Sequence, residues 1–77
     1  MALYFFDTEN GCLTRDHDGL ECATMDVARR VAIEALPSIA RDEMSDTNCQ
    51  SFSVLVRNDT GRPIFHATLT LVAKSFD

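Results

Sequence analysis

The chain has no tryptophan, one tyrosine, two prolines, three glycines and a single lysine, Lys74. Each shortage excludes something. So little glycine and proline leaves no room for collagen-like or low-complexity sequence. No apolar run approaches the ~20 residues that a membrane-crossing helix needs. Basic side chains are scarce, seven against twelve acidic ones, for a net charge of −5. Nucleic-acid binding draws on lysine and arginine that neutralise phosphates, so the chain by itself is expected to bind neither DNA nor RNA. The cysteines, Cys12, Cys22 and Cys49, are odd in number and form no CxxC. Met1-Ala2-Leu3 leads into a strand-like run without a basic leader segment. A reduced, cytoplasmic, soluble protein is the reading these features support. There is also no GxSxG, no HExxH and no glycine-rich phosphate loop. Neither an enzyme nor a cofactor is therefore expected.

What is present is a hairpin. Over residues 51–73, Phe52, Val54 and Val56 alternate with Ser51, Ser53 and Arg57. After Asn58-Asp59-Thr60-Gly61, the residues Phe65, Ala67, Leu69, Leu71 and Ala73 alternate with His66, Thr68, Thr70 and Val72. Period-2 spacing places one side of each strand on a core and leaves the other free. At the start, Leu3-Tyr4-Phe5-Phe6 favours a strand. Asn10-Gly11 is a two-residue hairpin signal, with Cys12-Leu13-Thr14 as the return. Asp16-His17-Asp18-Gly19 is a second turn, and Leu20-Glu21-Cys22 could form a further brief extended piece.

From Met25 the period changes to 3.6. Thr24 suits an N-cap, and Asp26 suits the positive end of the helix dipole. Ala28, Val31, Ala32, Ala35, Leu36 and Ile39 share one stripe, and small alanines let a helix lie close to a sheet. Arg29, Arg30, Glu34 and Arg41 fall mostly on the other side, where Arg30 and Glu34 can pair at i,i+4. Pro37 removes one helical hydrogen bond, which predicts a kink or a fresh turn. Residues 45–50 read as a polar loop. The expected fold is one α+β domain over residues 1–77. It has two layers: an antiparallel sheet in ββαββ order, with one amphipathic helix packed on one face.

In this order, several segments carry a resemblance. They are Tyr4-Phe5-Phe6-Asp7, Asp16-His17-Asp18-Gly19, Ala28-Arg29-Arg30, Glu34-Ala35-Leu36, Ile39-Ala40-Arg41-Asp42 and Val56-Arg57-Asn58-Asp59-Thr60-Gly61. The chain resembles a family of small proteobacterial proteins, rhizobial in type, defined as a domain of unknown function. The resemblance implies a bacterial cytoplasmic origin and transfers no functional residue. A more distant likeness, of architecture alone, is to HicB-like antitoxins, which also begin strand, turn, strand and helix.

Chemistry-bearing groups are few. Cys12, His17 and Cys22 are evenly spaced and could supply thiolate and imidazole to zinc, but their spacing matches no standard zinc pattern. Asp16, Asp18 and Gly19 echo a calcium loop, yet Val27 stands where its twelfth-position glutamate belongs. Cys49 and His66 could form a thiolate–base pair only if the hairpin brought them together. The plainer readings are a half-buried Cys12, an exposed turn histidine, a Cys22 packed under the helix start and an Asp/Gly turn.

One helix cannot cover both faces of a sheet. The side bearing Leu55, Ile64, His66, Thr68, Thr70 and Val72 is therefore the candidate interaction surface. The leading expectation is a non-enzymatic protein-interaction module acting as a homodimer, through that face or through an exposed hairpin edge. An antitoxin-like regulatory partner is the alternative, and a small metal-binding protein is a third reading.

Overall fold

In the computed structural model, residues 1–44 and 49–76 are described. The elements run β1 (Ala2–Glu9), β2 (Leu13–Thr14), β3 (Leu20–Cys22), α1 (Met25–Glu43), β4 (Cys49–Arg57) and β5 (Pro63–Val72). The class is α+β, one helix with a five-stranded antiparallel sheet. The helix follows three strands, not two. Leu20-Glu21-Cys22 does pair, with Cys22 opposite Ala2 and Leu20 opposite Tyr4. The sheet order is β2-β1-β4-β5, and β3 joins β1 on the same side as β2. Two short strands thus share one flank of β1, and β5 forms the opposite edge. Residues 45–48, part of the expected polar loop, lie outside the described residues, and β4 already begins at Cys49.

Alternation decides which faces meet. Phe52, Val54 and Val56 are buried, and they pack with Ala28, Ala32, Leu36 and Ala40 of the helix. Three of those four helical residues are alanines, so helix and sheet backbones approach closely. Tyr4, Phe6, Phe65 and Ala67 pack around the same cluster. Register carries the pattern across the hairpin, with Phe52 opposite Leu69, Val54 opposite Ala67 and Val56 opposite Phe65. Leu69 nevertheless remains 39% exposed, because β5 is the edge strand of the sheet. The last β1–β4 pair is Glu9 with Ser53, so residues 49–52 have no β1 neighbour. The molecule is elongated, 53 × 21 × 18 Å.

Local rules hold at the helix. Thr24 is extended, and its hydroxyl accepts from the Val27 N–H at 3.2 Å. A single helix runs through Pro37 to Glu43. Pro37 is on the exposed side, where water can satisfy the carbonyl it leaves unbonded. The ion pair on the outer face joins Asp26 to Arg29 at 3.9 Å; among the described residues, no Arg30–Glu34 bridge accompanies it.

Turns account for the glycines that matter. The β1–β2 turn has three residues, since Glu9 pairs with Leu13, with Gly11 at φ 102°. In the β4–β5 turn, the Asn58 side-chain oxygen accepts from the N–H groups of Thr60 and Arg62 and from the Thr60 hydroxyl. That one side chain organises the turn.

Candidate functional site

The face away from the helix has two unlike halves. Tyr4 and Phe6 point to the core, so Phe5 and Asp7 of β1 and Leu55 and Arg57 of β4 point the other way. Polar residues there would ordinarily be solvated. Asp7 is instead only 4% exposed. Arg57 clasps it with two hydrogen bonds, Nε to Oδ2 at 2.7 Å and Nη2 to Oδ1 at 3.0 Å. This is the bidentate fork that guanidinium and carboxylate geometry favours. The same guanidinium lies over the Phe5 ring, 5.1 Å from its centroid.

A loop closes over this pair. Arg57 Nη2 also donates to the Asp16 carbonyl at 3.1 Å, and the Asp16 N–H donates to Asp7 Oδ1 at 3.0 Å. The Asp16 carboxylate reaches back to the strand, accepting from the Phe6 N–H through Oδ2 at 3.1 Å. Its Oδ1 accepts from the N–H groups of Asp18 and Gly19. Phe6 sits between the β3-paired and β2-paired parts of β1, so Asp16 fills the gap between the two short strands. Gly19 takes φ +74° and lies against Leu3 and Phe5; a Cβ there would stand 2.9 Å from Leu3 Cδ1. Asp16-His17-Asp18-Gly19 is thus a cover for half of the second face.

The electrostatics follow. The Arg57 hydrogen bonds hold the Asp7 carboxyl below the usual carboxylate range, against the opposing effect of burial. For Asp16, burial pushes upward, but the N–H groups of Gly19, Phe6 and Asp18 outweigh it and lower the carboxyl. Arg57 is raised by its bond to Asp7. All three groups stay charged near neutral pH, so the cluster is a fixed ionic clasp with no proton to exchange there.

The other half of the face is a ladder of hydroxyls. Ser51 pairs with Thr70 at 3.3 Å and Ser53 with Thr68 at 3.1 Å between side-chain oxygens. Leu55 is half-buried opposite His66, which is exposed, as are Thr68, Thr70 and Val72. Ile64 is placed differently. The register shifts between Val56 and Arg57, and Ile64, half-buried, packs against the core cluster.

The structure separates the cysteine constellations. Cys12 is exposed beside the Glu9 end of β1, whereas Cys22 is buried opposite Ala2 at its other end. Among the described residues, no group of three or more His, Cys, Asp or Glu side chains is placed to hold a metal. Cys49 pairs with Val72 and His66 with Leu55, six residues or roughly 20 Å apart along the hairpin.

The edge of β5 is the remaining feature. Among the described residues, no strand pairs with its outer side over the ten residues Pro63–Val72. Ile33 of the helix and Leu69 are exposed on that flank, at 53% and 39%. The Arg29 guanidinium over the Phe65 ring, 5.0 Å from its centroid, places this side of the helix above β5, and Ile33 is one turn further along.

A family model described as a domain of unknown function, DUF6894, matches residues 3–70. The chain belongs to that family. The DUF6894 span includes Asp7, Asp16, Gly19 and Arg57, so clasp and cover lie wholly within the domain, as do Ile33 and Leu69. No curated protein and no solved structure matches the chain. Among the described residues, no helix is long and apolar enough to cross a membrane.

Proposed function

We propose that this DUF6894 protein is a non-enzymatic protein-interaction module of the bacterial cytoplasm that works as a homodimer. The observation that supports it is the open edge of β5, ten residues long and flanked by exposed Ile33 and Leu69. Unpaired edges carry rows of free N–H and C=O groups, and native proteins blunt them with lysine, proline or bulges unless the edge is used. Here the only proline is at the first position, Pro63, and the irregularity is confined to the same end. A 77-residue chain also has a thin core, for which association is a common remedy.

The hydroxyl ladder favours the edge over the open face as the contact. Paired serines and threonines suit water, as one face of an antiparallel sheet commonly does. The module binds no nucleic acid alone, because its seven basic residues are outnumbered by twelve acidic ones and Arg57 is held by Asp7 and Asp16, which leaves little charge to neutralise phosphates. The antitoxin-like alternative keeps only a general likeness of element order, which three strands before the helix weaken.

Light scattering behind size exclusion tests the reading. The expected mass is about twice the 8.6 kDa of one chain, and a strict monomer at several hundred micromolar would overturn it.

A further inference from the structure

We infer that β5 pairs antiparallel with β5 of a second copy, about a two-fold axis normal to the sheet and passing by Thr68. This rests on the homodimer reading above and specifies its geometry. The two sheets then become one continuous sheet, and Ile33 and Leu69 of both copies close over the junction on the helix side.

Faces and the position of Pro63 at the start of the strand limit the register. In an antiparallel pair, directly opposite side chains point the same way. An axis by Thr68 sets Thr68 opposite its own copy, His66 opposite the second copy's Thr70, and Ala67 opposite the second copy's Leu69. Phe65 faces the second copy's Leu71. His66, Thr68 and Thr70 meet on the hydroxyl side, Phe65, Ala67, Leu69 and Leu71 meet on the helix side, and the outermost pair, Ile64 with Val72, is apolar. Residues 64–72 take part, and Pro63, which has no N–H to donate, falls just outside. A two-fold normal to the sheet keeps both helices on one face whichever residue it passes, and Thr68 is the residue that centres the pairing on the run after Pro63.

Three further observations select a second copy as the occupant. The strand Pro63–Val72 carries no acidic residue, lysine or arginine, so two chains of net charge −5 meet there without like charges set face to face. Peptide capture by strand addition relies on pockets for alternate side chains, and the described residues form no pocket. A two-fold pairing also closes on itself, ending assembly at two chains.

Spacing fits as well. The helix packs on β4 and β5. The two β4 strands would stand three strand spacings apart, about 14 Å. Helices pack with axes about 8–10 Å apart, which leaves a gap that Ile33 and Leu69 from each copy are sized to fill. Nine paired residues span about 30 Å. A strip of that length and about 15 Å width buries about 900 Å² in total, in the range of weak, transient interfaces. A weak, concentration-dependent dimer is therefore expected.

The test is sedimentation velocity from about 1 to 500 µM on the full chain and three variants. Ile33→Glu and Leu69→Lys should each weaken dimerisation at least tenfold with an unchanged far-ultraviolet spectrum. Ser51→Lys, on the hydroxyl face, should dimerise like wild type. Ile33→Glu lies on the exposed helix surface and keeps the test decisive if Leu69→Lys fails to fold. If Ser51→Lys abolishes the dimer while Ile33→Glu leaves it intact, the edge geometry is overturned and the homodimer reading survives. A monomeric wild type removes both.

Discussion

Asp7 and Arg57, fifty residues apart in the chain, form a two-bonded ion pair on the side of the sheet that the helix does not touch. It ties β1 to β4 and, through the Asp16 carbonyl and N–H, ties both to the loop before β3. The pair sits beneath that loop and over Phe5, so it is shielded in a way that surface pairs are not.

Removing one partner leaves the other without its match. Asp7→Asn keeps the shape and discards the charge. It should destabilise by more than the roughly 1 kcal/mol ceiling of an exposed pair, read as a lowered urea midpoint with an unchanged slope. Asp26→Asn, which weakens the exposed Asp26–Arg29 pair, should change stability by less than about 0.5 kcal/mol.

Acid should dissolve the clasp. The carboxyls of Asp7 and Asp16 are held below their ordinary values. Their contribution is complete above about pH 4, near the unfolded value. It is lost as pH falls through the folded values. Arg57, raised from an already high value, adds no slope near neutrality. Urea midpoints between pH 2 and 7 should be level above about pH 5 and fall below about pH 4. The gap between wild type and Asp7→Asn should narrow in the same acidic range.

Gly19 tests the cover. A methyl there meets Leu3 and Phe5 side chains at about 3 Å and forces an L residue to φ +74°. Gly19→Ala should lower stability by about 1–3 kcal/mol from strain and overpacking. Gly11→Ala, whose added carbon meets nothing, should bear only the conformational part of that cost.

Phe52 and Leu69 are opposite each other on the same face, yet they should behave differently. Phe52→Ala opens the middle of the core and should cost about 3–5 kcal/mol. Leu69→Ala, partly solvated already, should cost about 1 kcal/mol or less at protein concentrations low enough to keep the chain monomeric. At high concentration the Leu69→Ala penalty should grow, because the lost side chain also belongs to the junction.

Much of this fold is legible in the sequence. The alternation from Phe52 to Leu71 gives the hairpin and its inward face, Thr24 and the alanine stripe give the helix, and Asn58 to Gly61 gives the turn. Ala40 was less visible, lying among polar neighbours where periodicity is faint. The clasp was hidden for a different reason. Asp7 and Arg57 occupy outward positions, where charge is ordinary and draws no notice. Only the register, which sets Asp7 beside Leu55 and Phe5 beside Arg57, brings them together. One signal was available: a charged residue directly after Leu3-Tyr4-Phe5-Phe6, with a short-range Asp/Gly turn able to fold back on it. The open edge was legible only as one possibility, since edge position depends on strand order, which spacing alone does not dictate. Ile33 carries no such signal, because it falls just outside the buried stripe, on the flank where Arg29 lies over Phe65.

The most direct measurement is hydrogen exchange at the backbone amides of residues 64–72, compared at micromolar and near-millimolar protein. The outward-pointing amides, every second residue along β5, should gain protection as concentration rises, while those already bonded to β4 stay constant. Outward amides that exchange equally fast at both concentrations would contradict dimerisation through this edge.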